Sequence, residues 1–265
     1  MELFSGITFF SAILYIILGM AVAAFGTLIG AGGGIIFVPL FMWIFDWPPQ
    51  AIIGTSLAIV FFNALSGSFA YKKQKKIKFD AAFPFAAATI PGAVLGAFWS
   101  NWFTGPTFRT AFGVLLLFIS CVIIWKNLKK KPAPAADEMA IRPEDVKVNM
   151  PLGVVISFVI GFISSIFGIG GGVIHVPAMI GFLGFPPHIA TATSHFVLAI
   201  SSLIGVISHQ WEGHILWGYA ILFGAGAIVG AQIGAKISKR VKGSSILYLL
   251  AGALCLLALR LIFLS

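Results

Sequence analysis

The sequence predicts an all-α, polytopic membrane protein: two inverted-topology repeats, each with a Gly-broken re-entrant helical hairpin plus three transmembrane helices. Three observations lead there: an apolar composition, apolar runs long enough to cross a bilayer, and an ungapped internal repeat. Hydrophobic residues make up 59% of the 265-residue chain and charged residues only 9%, against roughly a quarter in soluble domains. With a mean hydropathy of +1.04, a water-soluble fold is excluded. The Lys and Arg behind the net charge of +9 sit in short clusters between apolar runs, not on one amphipathic face. They orient the chain in lipid and do not mark a nucleic-acid partner.

Taken in order, the first apolar run, Ile7 to Ile29, has no basic segment before it and ends in glycines with no small-residue cleavage site. It reads as a retained helix and not as a leader. A shorter run, Ile35 to Phe45, follows the glycines, and Ala51 to Tyr71, Ala81 to Asn101 and Phe108 to Trp125 complete the first set. A polar stretch rich in Lys, Pro, Ala and acidic residues, Lys126 to Met150, reads as a connector. The same order then recurs: Leu152 to Phe167, Val173 to Phe185, Ile189 to His209, Ile215 to Ile237 and Ser245 to Phe263. The chain is one membrane domain, with repeats over 1–127 and 150–265 joined by a connector over 128–149. Cys121 and Cys255 each lie inside an apolar run and read as packing residues, with no disulfide, redox pair or metal site implied.

The halves align at a constant offset of 138. Gly30-Ala-Gly-Gly-Gly-Ile-Ile-Phe-Val-Pro39 matches Gly168-Ile-Gly-Gly-Gly-Val-Ile-His-Val-Pro177. Without a gap, the same register pairs Pro48-Pro49 with Pro186-Pro187, Thr55-Ser56 with Thr193-Ser194, and Gly92 and Gly96 with Gly230 and Gly234. Such a repeat defines two structural units. Their relative orientation follows from basic residues near span ends. Lys72, Lys73, Lys75, Lys76 and Lys78 follow the third run of the first half, whereas the matching loop of the second half has none; one loop later the pattern reverses, with Lys236, Lys239, Arg240 and Lys242 in the second half only. Inversion puts both clusters and the connector on one side, 15 of the 17 basic residues. The connector is then cytoplasmic and both termini periplasmic. Inversion needs an odd net number of crossings per half. Three full spans and a leading unit that enters and returns satisfy it.

That leading unit is a long apolar helix, a Gly-Gly-Gly break and a piece too short to span. Irregular backbone at membrane depth is tolerated only where protein or a water-filled cavity satisfies it. Gly32, Gly33 and Gly34, with Gly170, Gly171 and Gly172, let backbone amides approach a ligand, and each run opens a helix whose N-terminus favours an anion. Broken helices at matching positions of two halves are also a pointer to a transport site. Glycines that merely allow close helix crossing are the plainer alternative. Thr55, Ser56, Thr193 and Ser194 follow the Pro-Pro turns, where their hydroxyls either donate to an anion or bond to the carbonyl one turn back. Asn63 and its counterpart Ser201 lie two turns deeper, and a buried Asn demands partners.

Glu2, Asp46, Asp80 and Glu212 fall at span ends, so no carboxylate sits well inside a span where a cation site would want one. His175, aligned with Phe37, and His195, aligned with Leu57, are the two ionisable residues deep in the runs. Either could bind an anion when protonated or couple its passage to a proton; bonding to a neighbour is the alternative. His188, His209 and His214 read as interfacial. The stripes of Gly92 with Gly96 and of Gly226, Gly230 and Gly234 read as packing faces, and Gln232 as interhelical glue. The seven tryptophans, close to predicted span ends, form an aromatic belt. No paired carboxylates, metal-ligand set or nucleophile motif points to an enzyme or a cofactor.

The doubled Gly-x-Gly-Gly-Gly-x-x-x-Val-Pro, each copy followed by Pro-Pro and Thr-Ser, resembles the sulfite exporter TauE/SafE family, also called the four-toluene-sulfonate uptake permease family. The resemblance runs over essentially the whole chain. It implies a bacterial inner-membrane permease with about eight transmembrane segments, carrying sulfite, sulfonates, sulfoacetate or another small organic anion. The expected function is thus a secondary transporter working by alternating access, embedded in lipid and free of cofactors. Two alternatives differ in class: a passive anion channel, and a membrane-embedded enzyme or assembly subunit.

Overall fold

The computed structural model describes residues 7–100, 102, 105–129 and 141–263. Among these lie ten α-helices and no strand: α1 (Phe9–Leu28), α2 (Gly34–Ile44), α3 (Pro49–Lys73), α4 (Phe79–Ser100) and α5 (Gly105–Lys129), then α6 (Met150–Phe167), α7 (Gly172–Phe182), α8 (Pro187–Trp211), α9 (Trp217–Ser238) and α10 (Gly243–Phe263). Eight are long and apolar enough to cross a membrane. At 11 residues each, α2 and α7 are not, since a span needs about 20. The protein is therefore a polytopic, all-helical membrane protein.

Local chemistry sets the helix starts. The side chains of Thr8 and Asn149 accept the amides of Ser11 and Leu152 as N-caps of α1 and α6, satisfying donors that a helix start leaves open. Pro48 and Pro186 take extended backbone before α3 and α8, and Pro49 and Pro187 occupy the first turn, where a missing N–H costs nothing. The repeat register holds in the turns as well: Lys75 and Gly213, 138 apart, end the turns after α3 and α8 with φ of 54° and 71°.

Packing is crosswise. α1 lies along α9 and α6 along α4, with α3 and α8 crossing at the centre and α5 paired with α10. The contacts at glycine fix the directions. Gly226, Gly230 and Gly234 press on the backbone at Ile16, Met20 and Ala24 in turn, so α9 runs parallel to α1; Gly92 and Gly96 meet Phe158 and Phe162, so α4 runs parallel to α6. α3 and α8 run antiparallel, with Gly67 against His195 and Gly205 against Leu57. The two small-residue stripes are thus packing faces. Gln232 fills its expected role, donating to the Ser66 carbonyl at 2.7 Å and to its hydroxyl at 2.9 Å.

Burial sorts the helices. In α3 and α8, 78% of the spanning window is buried, against 17% in α1, so the crossing pair forms the core and α1 skirts the outside. Phe9, Phe10, Phe118, Trp211 and Leu256 are exposed, as suits lipid-facing surface. Cys121 is exposed and Cys255 only partly covered. The expectation that both cysteines pack inside is corrected for Cys121: α5 turns its core face, with Phe108, Phe112 and Leu116, the other way.

Candidate functional site

The glycine runs form two tips. Gly30, Gly32 and Gly33 have φ of 80°, 72° and 82°, and Gly168, Gly170 and Gly171 have 69°, 71° and 74°. This left-handed region costs other L-residues about 1–2 kcal/mol each. Gly33 and Gly171 cap α2 and α7 without a side-chain hydrogen bond. The amides of Ile36 and Ile174 bond back to the Gly33 and Gly171 carbonyls at 2.9 and 3.0 Å, and that of Gly172 to the Gly170 carbonyl at 2.9 Å; the helix starts still carry the positive end of the helix dipole. The tips touch: a Cβ on Gly34 would lie 2.8 Å from the Ile169 carbonyl oxygen, and one on Gly172 2.5 Å from that of Gly30.

The crossing of α3 and α8 closes over the tips. Val60 and Leu198, again 138 apart, are buried and each faces both Gly32 and Gly170. With Ala64 and Ala199 they form a hydrophobic cluster separate from the main core. A plug of this kind predicts a leak when it is shortened. The double variant Val60→Ala/Leu198→Ala is expected to let small ions leak across liposomes without a saturable rate, measured by flux under an imposed potential; no leak above that of the parent would show that the pair is mere packing.

The predicted hydroxyls do something neither sequence reading anticipated: they tie one half to the other. Ser56 donates to the Gly168 carbonyl at 3.1 Å and Ser194 to the Gly30 carbonyl at 3.5 Å. Thr55 Oγ1 accepts the Leu216 amide at 3.0 Å, and Thr193 Oγ1 accepts the Lys78 amide at 3.1 Å. Each bond has its partner at the repeat offset. The four side chains position the tips and helix ends.

Asn63 organises the first tip. Its Nδ2 donates to the carbonyls of Gly32 at 3.1 Å and Ala23 at 3.3 Å, and its Oδ1 accepts from Thr27 Oγ1 at 2.6 Å. The Thr27 hydroxyl proton is thereby committed, so its oxygen accepts Nε2–H of His195 at 3.3 Å, while Tyr71 donates to the Thr27 carbonyl at 2.8 Å. His195 Nδ1 is buried without a hydrogen-bond partner, although it faces the Thr191 carbonyl of its own helix. Asn63→Ala is expected to cost about 2 kcal/mol, because it strands buried polar groups. Thermal unfolding in detergent would read this as a lowered midpoint, and an unchanged one would remove Asn63 from the tip's support.

The second half departs from this pattern. Ser201 is buried at the Asn63 position, and Ser165, aligned with Thr27, keeps a buried hydroxyl without a partner. His175 donates Nε2–H to Ser157 Oγ at 3.0 Å, since that hydroxyl's proton goes to the Gly153 carbonyl at 2.7 Å. It sits behind the second tip, apart from the Thr27 network. His209, read as interfacial, is fully buried and bonds through Nδ1 to His214 Nδ1 at 3.2 Å. It lies in the last turn of α8, which ends at Trp211, and its side chain points inward from there. Thr27, Tyr71, Val60 and Leu198 escaped the sequence reading. Only Thr27 had a signal there, a hydroxyl just ahead of the glycine run and repeated as Ser165.

Two Gly-broken helix pairs meet inside a bundle of eight apolar helices among the described residues, and the relatives of this chain are membrane transporters, a non-enzymatic class. The chain belongs to the sulfite exporter TauE/SafE family, whose model matches residues 15–261. It is 35% identical to the probable membrane transporter protein YunE of Bacillus subtilis, over 96% of this chain and 98% of that protein. A probable membrane transporter protein of Methanocaldococcus jannaschii is 27% identical over 93% of both chains, and one from a Sinorhizobium species 27% identical over 90% of this chain and 87% of its own. No solved structure matches significantly.

Proposed function

We propose that the chain is a secondary transporter for a small anion such as sulfite, a sulfonate, sulfoacetate or another organic anion, working by alternating access across the inner membrane. The observation that carries this reading is the meeting of two glycine tips, each opening a helix N-terminus toward the same point in the bundle. Within Gly32 to Gly34 and Gly170 to Gly172, the amides of Gly33, Gly34, Gly170 and Gly171 supply the donors, while those of Gly32 and Gly172 are bonded to the Gly26 and Gly170 carbonyls at 3.1 and 2.9 Å and set the shape of the tips. Thr55, Ser56, Asn63, Thr193, Ser194 and Ser201 hold or flank the tips, with His195 beside the first and His175 behind the second.

Inverted topology of the repeats 1–127 and 150–265 has support in helix direction. Equivalent helices α3 and α8 run antiparallel, while α1 and α9, which would oppose each other in a parallel repeat, run together. On that basis the connector 128–149 is cytoplasmic and both termini are periplasmic. Val60 and Leu198 fill the crossing, which favours an occluded state over an open pore. Rocking of the halves about that crossing would expose the tips alternately. A potential negative inside favours exit of an anion by about 2.3 kcal/mol per charge at 100 mV, so uptake would need a coupled ion such as a proton.

The test is purified protein in liposomes offered sulfite, sulfonates and carboxylates, with and without a pH gradient. The reading predicts saturable flux of one anion class. Conductance without saturation would replace it with a channel, and no flux of any of these anions would refute it.

A further inference from the structure

At one end of the bundle, where α3 and α9 finish and α8 begins, a cleft of about 130 Å³ is lined by Tyr71, Gln74, Lys76, His188, Ser238 and Lys239. Among the described residues the lining holds two ammonium groups, an imidazole, a carboxamide whose Nε2 donates to the Ala235 carbonyl at 2.9 Å, two hydroxyls, that of Tyr71 given to the Thr27 carbonyl, and no carboxylate. The nearby Asp80 is paired with Lys78 at 2.8 Å. His188 is only 7% exposed, and its Nε2 is buried with no hydrogen-bond partner, an arrangement that costs free energy until something fills it. The Lys76 ammonium reaches the Ile141 carbonyl at 3.5 Å, and burial holds its pKa below the ordinary lysine value. A half-enclosed cleft with two ammonium groups, and an imidazole nitrogen buried in its wall without a partner, is complementary to a compact oxyanion.

The floor of the cleft leads inward. Tyr71 donates to the Thr27 carbonyl, and Thr27 bonds Asn63, which holds Gly32. The opposite mouth is chemically different: the positions aligned with Tyr71, Gln74 and Lys76 are His209, Glu212 and His214. The cationic lining therefore belongs to one face only.

We propose that this cleft is an anion-binding vestibule in which a small oxyanion docks between Lys76, Lys239 and His188 before passing Tyr71 toward the glycine tips. Its place on a transport path rests on the reading above; its binding chemistry rests on the lining residues alone. A free oxyanion and the phosphate of an acidic lipid headgroup share that chemistry.

The experiment titrates sodium sulfate, then sodium sulfite, against chloride at matched ionic strength, into protein carrying ¹⁵N-histidine in phosphatidylcholine nanodiscs. The His188 imidazole resonance, assigned with His188→Gln, is followed. A saturable shift is expected, with a midpoint at least about tenfold higher in Lys76→Gln/Lys239→Gln, the loss expected for a charge-assisted bond. Lys239 is exposed, so Lys239→Glu tests the same point without threatening the fold. Gly252→Ala, with nothing within 4 Å of the added methyl, should keep the response. A shift seen only on adding phosphatidylglycerol supports the oxyanion chemistry but assigns it to a headgroup and overturns the path. No response to sulfate, sulfite or phosphatidylglycerol overturns the vestibule, even if anion transport is intact. A His188 response in a protein that moves no anion sinks the transport reading and leaves the binding site standing.

Discussion

Gly32→Ala is expected to cut anion flux in liposomes by at least about tenfold while the protein still inserts and folds. At a φ of 72° the alanine bears a left-handed penalty of about 1–2 kcal/mol, and its methyl would land on the Leu198 side chain, with Val60 3.5 Å away. Leu198 can swing aside, so the fold survives. The tip cannot keep both its curvature and its distance from the crossing, and the amides of α2 lose their aim. Gly170→Ala should behave alike, because its methyl would meet Val60 and Leu198 from the other half. Gly252→Ala, in α10 with nothing within 4 Å, is the control. If Gly32→Ala transports as the parent does, the tips do not handle the substrate.

Gly230→Leu should instead remove the folded protein. A Cβ there falls on the carbonyl of Met20, which is backbone and cannot rotate away, so α1 and α9 must separate along their shared face. Overpacking costs about 1–3 kcal/mol in cores that relax, and here a whole helix pair must shift. The mirror variant Gly92→Leu, whose Cβ would strike the Phe158 carbonyl, should be as damaging. Thermal unfolding in detergent, or yield of monodisperse protein, reads the loss. Wild-type stability in both would mean that the crosswise packing is not what holds the bundle.

These variants mark what the sequence could and could not say. Spans, short pieces and the repeat were legible because apolar length and a fixed 138-residue register survive without knowledge of contacts. The glycine stripes were legible as packing faces, since small residues at helical spacing have few other uses in lipid. Their partners were not: nothing along the chain says that Gly230 meets Met20 and not a neighbour in its own half. Val60 and Leu198 were invisible, because an apolar residue in an apolar helix carries no pattern. Thr55, Ser56, Thr193 and Ser194 were found but their partners across the repeat were not, since a hydroxyl reports that it needs a partner and not where that partner lies. His209 was placed near a span end, where the last turn of α8 holds it, but its burial was not legible, because the end of hydropathy is not the end of burial.

The most direct test of the account is the accessibility of a thiol placed at the crossing. Val60→Cys, in a chain with Cys121 and Cys255 replaced by serine, is reconstituted and treated from each side with a membrane-impermeant thiol reagent. The protectant is whichever sulfonate or carboxylate shows saturable flux in the liposome assay, since neither class consumes the reagent. Slow labelling from either side, suppressed by that anion, is the predicted result. A position never labelled from either side while transport proceeds at the parent rate would contradict it, because the substrate would then be crossing without passing between the tips.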